Sequence, residues 1–341
     1  MKLDAQMGES DFSAVAGEAK RLESLGFDAL WTFETSHDPF IPLAFSATAT
    51  TSVQMGTNIA VAFARTPMAI AMSAWDLSRA SGGRFMLGLG TQVRAHIERR
   101  FGAEWGRPAA RVREYIQCVR AIWNTFQHDA TPEFEGEFYR FQLMNPFFNP
   151  GPIAHPEIRI FLAGVNPTIL RAAGEVADGV HVHPFHSVRY LKEVMRPAVD
   201  QGARTRGKTV EDLELYAPIF VVTGFTQEET AGREQFVRQQ IAMYASTPNY
   251  RVIMELHGWL SVAEKLSRMV RRGEWDQISG EITDEMMSEF AIAGPPEKIP
   301  ALLRARYDGV LDRVSLYYPI PRDDPDGAWR GFVEAFHQAA G

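Results

Sequence analysis

The strongest constraint on the fold of this chain is a unit that recurs along most of its length. Each unit is a short apolar strand followed by an amphipathic helix, and one unit takes about 25 to 45 residues. The strands are predicted over residues 2–7, 27–33, 53–62, 84–90, 157–164, 179–185, 213–224 and 312–318. Eight strands that alternate with helices favour a (β/α)8 barrel, whose active site lies at the carboxyl ends of the strands.

Two longer segments interrupt the recurring unit. Residues 134–156, after the fourth strand, have the pattern of a hairpin followed by a proline-rich loop. Residues 225–295, between the seventh and eighth strands, are rich in charge and in helical periodicity. We predict a single α/β TIM-barrel domain that spans residues 1–341, with these two segments inserted into loops of the barrel.

The composition is that of an ordinary globular protein and argues against several functions. A formal charge of −7 offers nucleic acid no broad basic surface. The chain has one cysteine, Cys118, and therefore cannot form an internal disulfide. The first residues lack the apolar core of a secretory signal, and no apolar stretch approaches the length of a membrane span. We expect a cytoplasmic protein with neither a nucleic-acid nor a membrane partner.

The fourth predicted strand ends in a pair of glycines, Gly88 and Gly90, which raises the question of a nucleotide site. The dinucleotide-binding motif requires G-x-G-x-x-G after the first strand of a βαβ unit, and Val93 stands where the third glycine belongs. The motif is therefore both misplaced and incomplete. Glycines at the end of a barrel strand instead let the backbone approach a flat ring closely, or simply pack the strand against a helix.

The segment around these glycines resembles the central signature of the bacterial luciferase-like superfamily. The matching parts, in chain order, are Gly56-Thr57, Arg65-Thr66-Pro67, Ser81-Gly82-Gly83-Arg84 and Gly88-Leu89-Gly90. Further similar segments lie at 135–141, 160–180 and 293–299, so the resemblance covers nearly the full length. Within the superfamily, the segments 28–37, 55–65 and 160–183 are most similar to the branch that uses the deazaflavin coenzyme F420.

The resemblance implies coenzyme-binding residues at the mouth of the barrel. Members of the F420 branch hold a non-proline cis peptide in the third strand, which falls at Asn58-Ile59 here, and an ordinary trans strand is the alternative. The other matching positions are Thr91, Gln92, Gly164, Val165, Asn166 and His183. Gly164, Val165 and Asn166 open a helix, and the free N–H groups at a helix start favour a phosphate, although Asn-Pro also begins plain capped helices.

Two histidines of the sixth strand, His181 and His183, alternate with valines and so point to one face. A zinc site would need further ligands, and the sequence offers no convincing third one, so no metal is predicted. By the resemblance His183 contacts the coenzyme, whereas His181 is expected to be a core histidine.

Three residues are candidates for moving the proton that accompanies hydride transfer: Glu34, His37 and His96. Glu34 matches an acidic residue that touches the coenzyme in relatives that use F420. For His37 a surface loop, and for His96 a solvated helix start, are the alternatives. The catalytic histidine and acidic residue of related sugar-phosphate dehydrogenases are replaced by Thr35 and Val93, which argues against a sugar-phosphate substrate.

The sequence thus predicts an oxidoreductase that transfers a hydride between coenzyme F420 and a small, partly hydrophobic organic substrate. The substrate character is inferred from aromatic residues of the two inserted segments, which are expected to form lids: Phe147, Phe148, Trp259 and Trp275. Two alternatives remain open on the same fold, an FMN-dependent monooxygenase and a flavin-binding barrel that has lost turnover. The resemblance also implies a homodimer.

Overall fold

Eight parallel strands form a closed barrel in the computed structural model, which describes residues 1–8, 11–322 and 324–339. The strands are β1 Lys2–Met7, β2 Ala29–Thr32, β3 Gln54–Thr57, β4 Phe85–Gly90, β5 Arg159–Gly164, β6 Gly179–Val182, β7 Glu214–Val222 and β8 Arg313–Leu316. Each strand pairs in parallel with the next, and β8 pairs with β1, which closes the cylinder. The predicted (β/α)8 barrel is confirmed.

Helices follow the strands, and those that pack on the barrel do so through an apolar face. They are α1 Val15–Leu25, α2 Phe40–Ala49, α3 Pro67–Ser81, α4 Arg94–Arg99, α5 Pro108–His128, α6 Pro167–Val176, α7 Val188–Tyr190, α8 Arg196–Ala203, α9 Gln227–Ala245, α10 Arg251–Leu256, α11 Leu260–Arg271, α12 Asp284–Phe290, α13 Ile299–Tyr307 and α14 Asp326–Gln338. A π-helical turn, Leu191–Met195, joins α7 to α8. Among the described helices, none is long and apolar enough to cross a bilayer.

The third strand departs from the prediction, which made it continuous over 53–62. β3 ends at Thr57, and pairing with β4 resumes only at Ala60–Val61. The peptide bond between Asn58 and Ile59, inside this interruption, is cis, as predicted. The strand therefore bulges at the carboxyl end of the barrel, where the active site of such a fold lies.

Both inserted segments lie where the sequence placed them. The first holds an antiparallel hairpin of Phe134–Glu135 and Arg140–Phe141. The second contains α9 to α12 and ends in a short strand, Ala291–Ala293, that pairs in parallel with Phe220–Val222 of β7. We refer to residues 223–290 as the excursion, because this segment leaves and rejoins the sheet at neighbouring strands.

The amino ends of the strands enclose a buried ionic cluster around Arg313, whose side chain is 0% exposed. Its Nε and Nη2 atoms donate to the two carboxylate oxygens of Asp4 at 2.7 and 2.9 Å. Its Nη1 atom donates to Gln54 at 2.8 Å and to Glu214 at 3.1 Å. Burial alone would lower the pKa of Arg313, but the two carboxylates raise it, so this guanidinium is charged.

The lone cysteine lies in the core. Cys118 is buried in α5, and burial raises the pKa of its thiol to about 11. The reactive thiolate is therefore scarce at neutral pH.

Candidate functional site

A cavity of about 530 Å³ opens at the carboxyl ends of the strands, and we call it the mouth cavity. Its walls include all eight residues predicted to bind a coenzyme, namely Asn58, Ile59, Thr91, Gln92, Gly164, Val165, Asn166 and His183. A larger groove of about 780 Å³ lies outside the barrel, next to α9 and α14, and contains none of those residues. The position at the strand ends therefore identifies the mouth cavity as the candidate site.

The two glycines of β4 make room for the bulge in the third strand. A Cβ atom added to Gly88 would lie 1.8 Å from the carbonyl oxygen of Thr57, and one added to Gly90 would lie 2.7 Å from Cδ1 of Ile59. The Thr57 hydroxyl also donates to the Gly88 carbonyl at 2.6 Å and accepts from its N–H at 2.9 Å. The glycines thus let Asn58 and Ile59 form one wall of the mouth cavity.

We expect Gly90→Ala to lower the free energy of unfolding by about 1–3 kcal/mol, because the new methyl group must displace the Ile59 side chain. Gly106→Ala is the matched control, since a Cβ there would meet no atom within 4 Å. Urea unfolding of both variants measures the difference. Equal stability of the two variants would show that the approach of Ile59 to Gly90 is loose.

The turn from β5 into α6 forms another wall of the cavity. The side chain of Asn166 caps α6 by accepting the Ile169 N–H at 3.0 Å. A Cβ on Gly164 would lie 2.6 Å from Cγ2 of Ile169, so the helix packs directly on the strand end. The Tyr190 hydroxyl donates to the Val165 carbonyl and fixes this turn. The amino end of α6, with its positive dipole end, therefore borders the cavity, which is where an anionic group is favoured.

The floor of the cavity is polar, and a layer of aromatic side chains lies beneath it. Gln6 donates to the hydroxyls of Tyr216 at 2.6 Å and Ser315 at 3.1 Å. His181, which is 1% exposed, packs against the rings of Trp31 and Tyr216 at 4.8 and 5.1 Å. Neither of its ring nitrogens has a well-formed hydrogen bond within the described residues. Burial, with a smaller contribution from Arg313, lowers the pKa of His181 to about 3, so the ring is neutral.

The remaining side of the cavity is a tyrosine wall, which consists of Tyr244, Tyr250, Tyr317 and Tyr318. The first two belong to the excursion and the last two follow β8. His183 packs against this wall, with ring centroids 4.5 Å from Tyr244 and 4.4 Å from Tyr250.

No aspartate, glutamate, lysine or arginine lies among the described residues that line the mouth cavity. Both histidines of the lining have a pKa lowered to about 3, chiefly by burial, and are neutral at pH 7. The cavity itself therefore carries no full charge. A charged group on a bound molecule is better accommodated at the rim, where water screens it, than inside the cavity.

The three candidates for proton transfer lie outside this lining. The carboxylate of Glu34 accepts from the Val61 N–H at 2.7 Å and from Arg65 at 2.7 and 2.9 Å, which holds it behind the bulge. His37 is exposed and packs edge-on against Phe12, and His96 is exposed on α4. Their catalytic roles stay predictions. No cluster of three metal-ligating side chains occurs in the described part of the chain.

Only one of the two inserted segments predicted to form lids contributes to the cavity. Phe147 and Phe148 are 87% and 70% exposed, and no residue of 134–156 lines the cavity. This segment instead continues toward the amino end of β5, where the Gly151 carbonyl accepts from the Trp75 indole at 3.1 Å. Trp259 and Trp275 of the excursion also lie outside the lining, which the excursion supplies through Phe236, Tyr244, Asn249 and Tyr250.

A family model described as luciferase-like monooxygenase matches residues 2–313. The chain belongs to this luciferase-like family. The family resemblance drawn from the segment 55–92 is thereby confirmed.

Curated proteins similar to this luciferase-like chain include two from Mycobacterium tuberculosis. An uncharacterized protein of strain H37Rv is 45% identical over 314 residues, which cover 92% of each chain. A second, provisionally named as a coenzyme F420-dependent oxidoreductase, is 30% identical over 311 residues, or 86% of this chain and 88% of the relative. A 5,10-methylenetetrahydromethanopterin reductase of Archaeoglobus fulgidus is 26% identical over 289 residues, or 82% of each.

Two solved structures show the same luciferase-like barrel. The coenzyme F420-dependent tetrahydromethanopterin reductase from Methanopyrus kandleri superposes with a TM-score of 0.80 at 19% identity, over 99% of this chain and 98% of that one. An F420-dependent secondary alcohol dehydrogenase, in complex with an F420–acetone adduct, superposes with a TM-score of 0.75 at 16% identity, over 100% of this chain and 99% of that one. At sequence identities this low, the structural similarity establishes the shared fold alone.

Proposed function

We propose that this luciferase-like protein is an oxidoreductase that binds coenzyme F420 in the mouth cavity and transfers a hydride between it and a small organic substrate. The observation that carries the proposal is the interruption of the third strand at Asn58 and Ile59, which form one wall of an uncharged cavity at the strand ends. The names of the relatives and of the neighbouring structures support the choice of coenzyme.

The residues present fit a flat ring that carries a phosphate-bearing tail. Gly88 and Gly90 let the bulge of Asn58 and Ile59 form one wall of the cavity, and His181 below the floor has ring nitrogens without a well-formed partner. The ring would lie against Asn58 and Ile59, with Thr91 and Gln92 beside it. Gly164, Val165 and Asn166, at the amino end of α6, would hold the phosphate.

When bound, the coenzyme supplies the hydride chemistry. The protein contributes orientation and the exclusion of water, which the tyrosine wall and the polar floor provide on two sides of the cavity. A substrate is bounded by Phe236, Tyr244 and Tyr250 of the excursion, so we expect its reacting part to be apolar and compact. The homodimer implied by the family resemblance stays a prediction.

Titration of the purified protein with F420 and, separately, with FMN tests the proposal through the fluorescence of each compound. We expect saturable binding of F420 and much weaker binding of FMN. Tight binding of reduced FMN together with oxygen consumption would favour the monooxygenase alternative. Binding of F420 without hydride exchange to any acceptor would favour the barrel that has lost turnover.

A charge reversal at α6 tests the position of the phosphate. We expect Val165→Asp to weaken F420 binding at least about tenfold, because the new carboxylate repels the phosphate across a short distance. Gln227→Asp, in the first turn of α9, is the matched control, since it places the same charge at a different helix start. Equal affinities of the two variants would move the phosphate away from α6.

A further inference from the structure

Three of the four hydroxyls in the tyrosine wall already donate their proton to the protein. Tyr318 donates to the Val221 carbonyl at 3.2 Å, and Tyr317 donates to Oε1 of Gln240 at 3.0 Å. Because Tyr317 has no second proton, Tyr244 is the donor in the 2.7 Å hydrogen bond between their hydroxyls. None of these three phenols has a proton left for a ligand.

The fourth hydroxyl, that of Tyr250, accepts a hydrogen bond and keeps its own proton. The Phe185 N–H donates to Nδ1 of His183 at 3.1 Å, so Nδ1 carries no proton. The neutral ring must then be protonated at Nε2, which lies 3.0 Å from the Tyr250 hydroxyl and donates to it. Within the described residues no other partner is found for this hydroxyl, whose proton is therefore available to the mouth cavity.

The electrostatics of the cavity favour the same residue as a proton donor. Burial raises the pKa of the Tyr250 hydroxyl, so at neutral pH it is a phenol that can donate and not a phenolate that could accept. Burial lowers the pKa of His183, which keeps that ring neutral and fixed as a hydrogen-bond donor. The uncharged lining also disfavours a substrate with a charge near its reacting atoms.

On the basis of the proposed function, we propose that Tyr250 is the catalytic proton donor and that the substrate is an uncharged ketone or aldehyde, which the enzyme reduces. His183 is a positioning residue in this scheme, since it acts through the Tyr250 oxygen. The inference rests on the geometry of the His183–Tyr250 pair and on the absence of charged side chains from the described lining.

The step balances as a two-electron reduction. The carbonyl carbon gains a C–H bond as the C–H bond that supplies the hydride breaks and leaves the coenzyme oxidised by two electrons, and the π pair of the C=O bond moves to oxygen. That oxygen forms an O–H bond with the Tyr250 proton, while the Tyr250 O–H bond breaks. The resulting phenolate is stabilised by the N–H of His183 Nε2 and regains a proton from water when the alcohol leaves.

Removal of the Tyr250 hydroxyl is the direct test, with the reduced F420 holoenzyme and acetophenone as probe. Tyr250→Phe keeps the ring, and we expect kcat to fall about 10²- to 10⁴-fold while the affinity for F420 stays within about twofold. With trifluoroacetophenone, whose alkoxide is less basic, the fall in kcat caused by Tyr250→Phe should be at least about tenfold smaller. A deficit equal for both ketones would indicate a structural role, and an unchanged kcat would refute the proposal.

A second arm tests the substrate class with a matched pair of ketones. Acetophenone and phenylglyoxylate share the ring and the carbonyl, but the second carries a carboxylate beside the reacting carbon. We expect kcat/KM to favour acetophenone by at least about a hundredfold, because no cation in the described lining compensates the carboxylate. Preference for phenylglyoxylate, or reduction of neither ketone by the F420-loaded protein, would overturn the assignment.

A third arm needs neither coenzyme nor substrate. Nitrogen-15 NMR of labelled histidines should show His183 with its proton on Nε2 at pH 7, and Tyr250→Phe should shift that signal. A proton on Nδ1 would contradict the pairing even if F420 binds. If the NMR result holds and F420 does not bind, the proposed function fails and the hydrogen-bonded pair stands.

Discussion

Replacement of Arg313 by methionine is expected to lower the free energy of unfolding by about 3–5 kcal/mol. The substitution leaves the Asp4 carboxylate fully buried, with the Trp31 indole N–H at 2.8 Å as its remaining side-chain donor. A buried charge without its partner is far more costly than the same charge in a salt bridge. Urea unfolding followed by circular dichroism measures the change.

The matched control is Arg204→Met, which removes an exposed arginine whose Nε lies 2.6 Å from Asp200. We expect this variant to lose far less stability, because water screens exposed pairs. Adding Asp4→Asn to Arg313→Met should restore part of the lost stability, since it removes the orphaned charge. Similar losses in both arginine variants would mean that water reaches the cluster at the amino ends of the strands.

Acidification from pH 7.5 to 5.5 is expected to lower the free energy of unfolding by about 4 kcal/mol through three buried histidines. Burial lowers the pKa of His181 and His183 to about 3 and that of His186 to about 4, from an ordinary value of 6.5. Below pH 6.5 the unfolded chain binds protons that the folded chain does not, so stability falls as pH falls. Each histidine contributes about 1.4 kcal/mol over this interval.

Urea unfolding at the two pH values measures this loss before most carboxylates begin to titrate. His186→Gln should reduce the loss by about one third, whereas His37→Gln, which removes an exposed histidine, should leave it unchanged. A stability that is constant between pH 7.5 and 5.5 would show that the three rings are more accessible to water than the structure indicates.

The barrel was predictable because its strands are short apolar runs at regular spacing, and buried parallel strands have that pattern. The structure shortens several of them, for example the second, predicted over 27–33 and observed as Ala29–Thr32. The strand Ala291–Ala293 was missed, because three residues are too few to show a period and they lie inside the segment 225–295, whose pattern is helical.

The site could be predicted where it depends on strand ends and not where it depends on the excursion. Thr91, Gln92 and His183 directly follow strands, so the barrel rule places them at the mouth. Gln6 was missed, although its alternation with Leu3, Ala5 and Met7 in β1 marks it as facing the barrel interior. No comparable rule says where a long insertion returns to the mouth, and Tyr250 therefore carried no sequence signal.

Glu34 shows a second limit of sequence reasoning, because its position could be predicted and its hydrogen-bond partners could not. It follows β2 as the sequence indicated, but its carboxylate is taken up by Arg65 and the Val61 N–H. Sequence position gives the neighbourhood of a side chain, whereas hydrogen-bond partners decide what remains free for a ligand.

The pairing of Phe220–Val222 with Ala291–Ala293 means that the excursion begins and ends on adjacent strands, about 4.8 Å apart. A segment anchored in this way resembles a cassette, because it can be exchanged whole without moving the ends to which it is joined. Under the proposed function, the coenzyme would lie against the barrel loops, and most of the contacts to the substrate would come from this cassette. If that function holds, substrate preference can change with this segment, in evolution or by grafting, while the barrel loops that would hold the coenzyme stay unchanged.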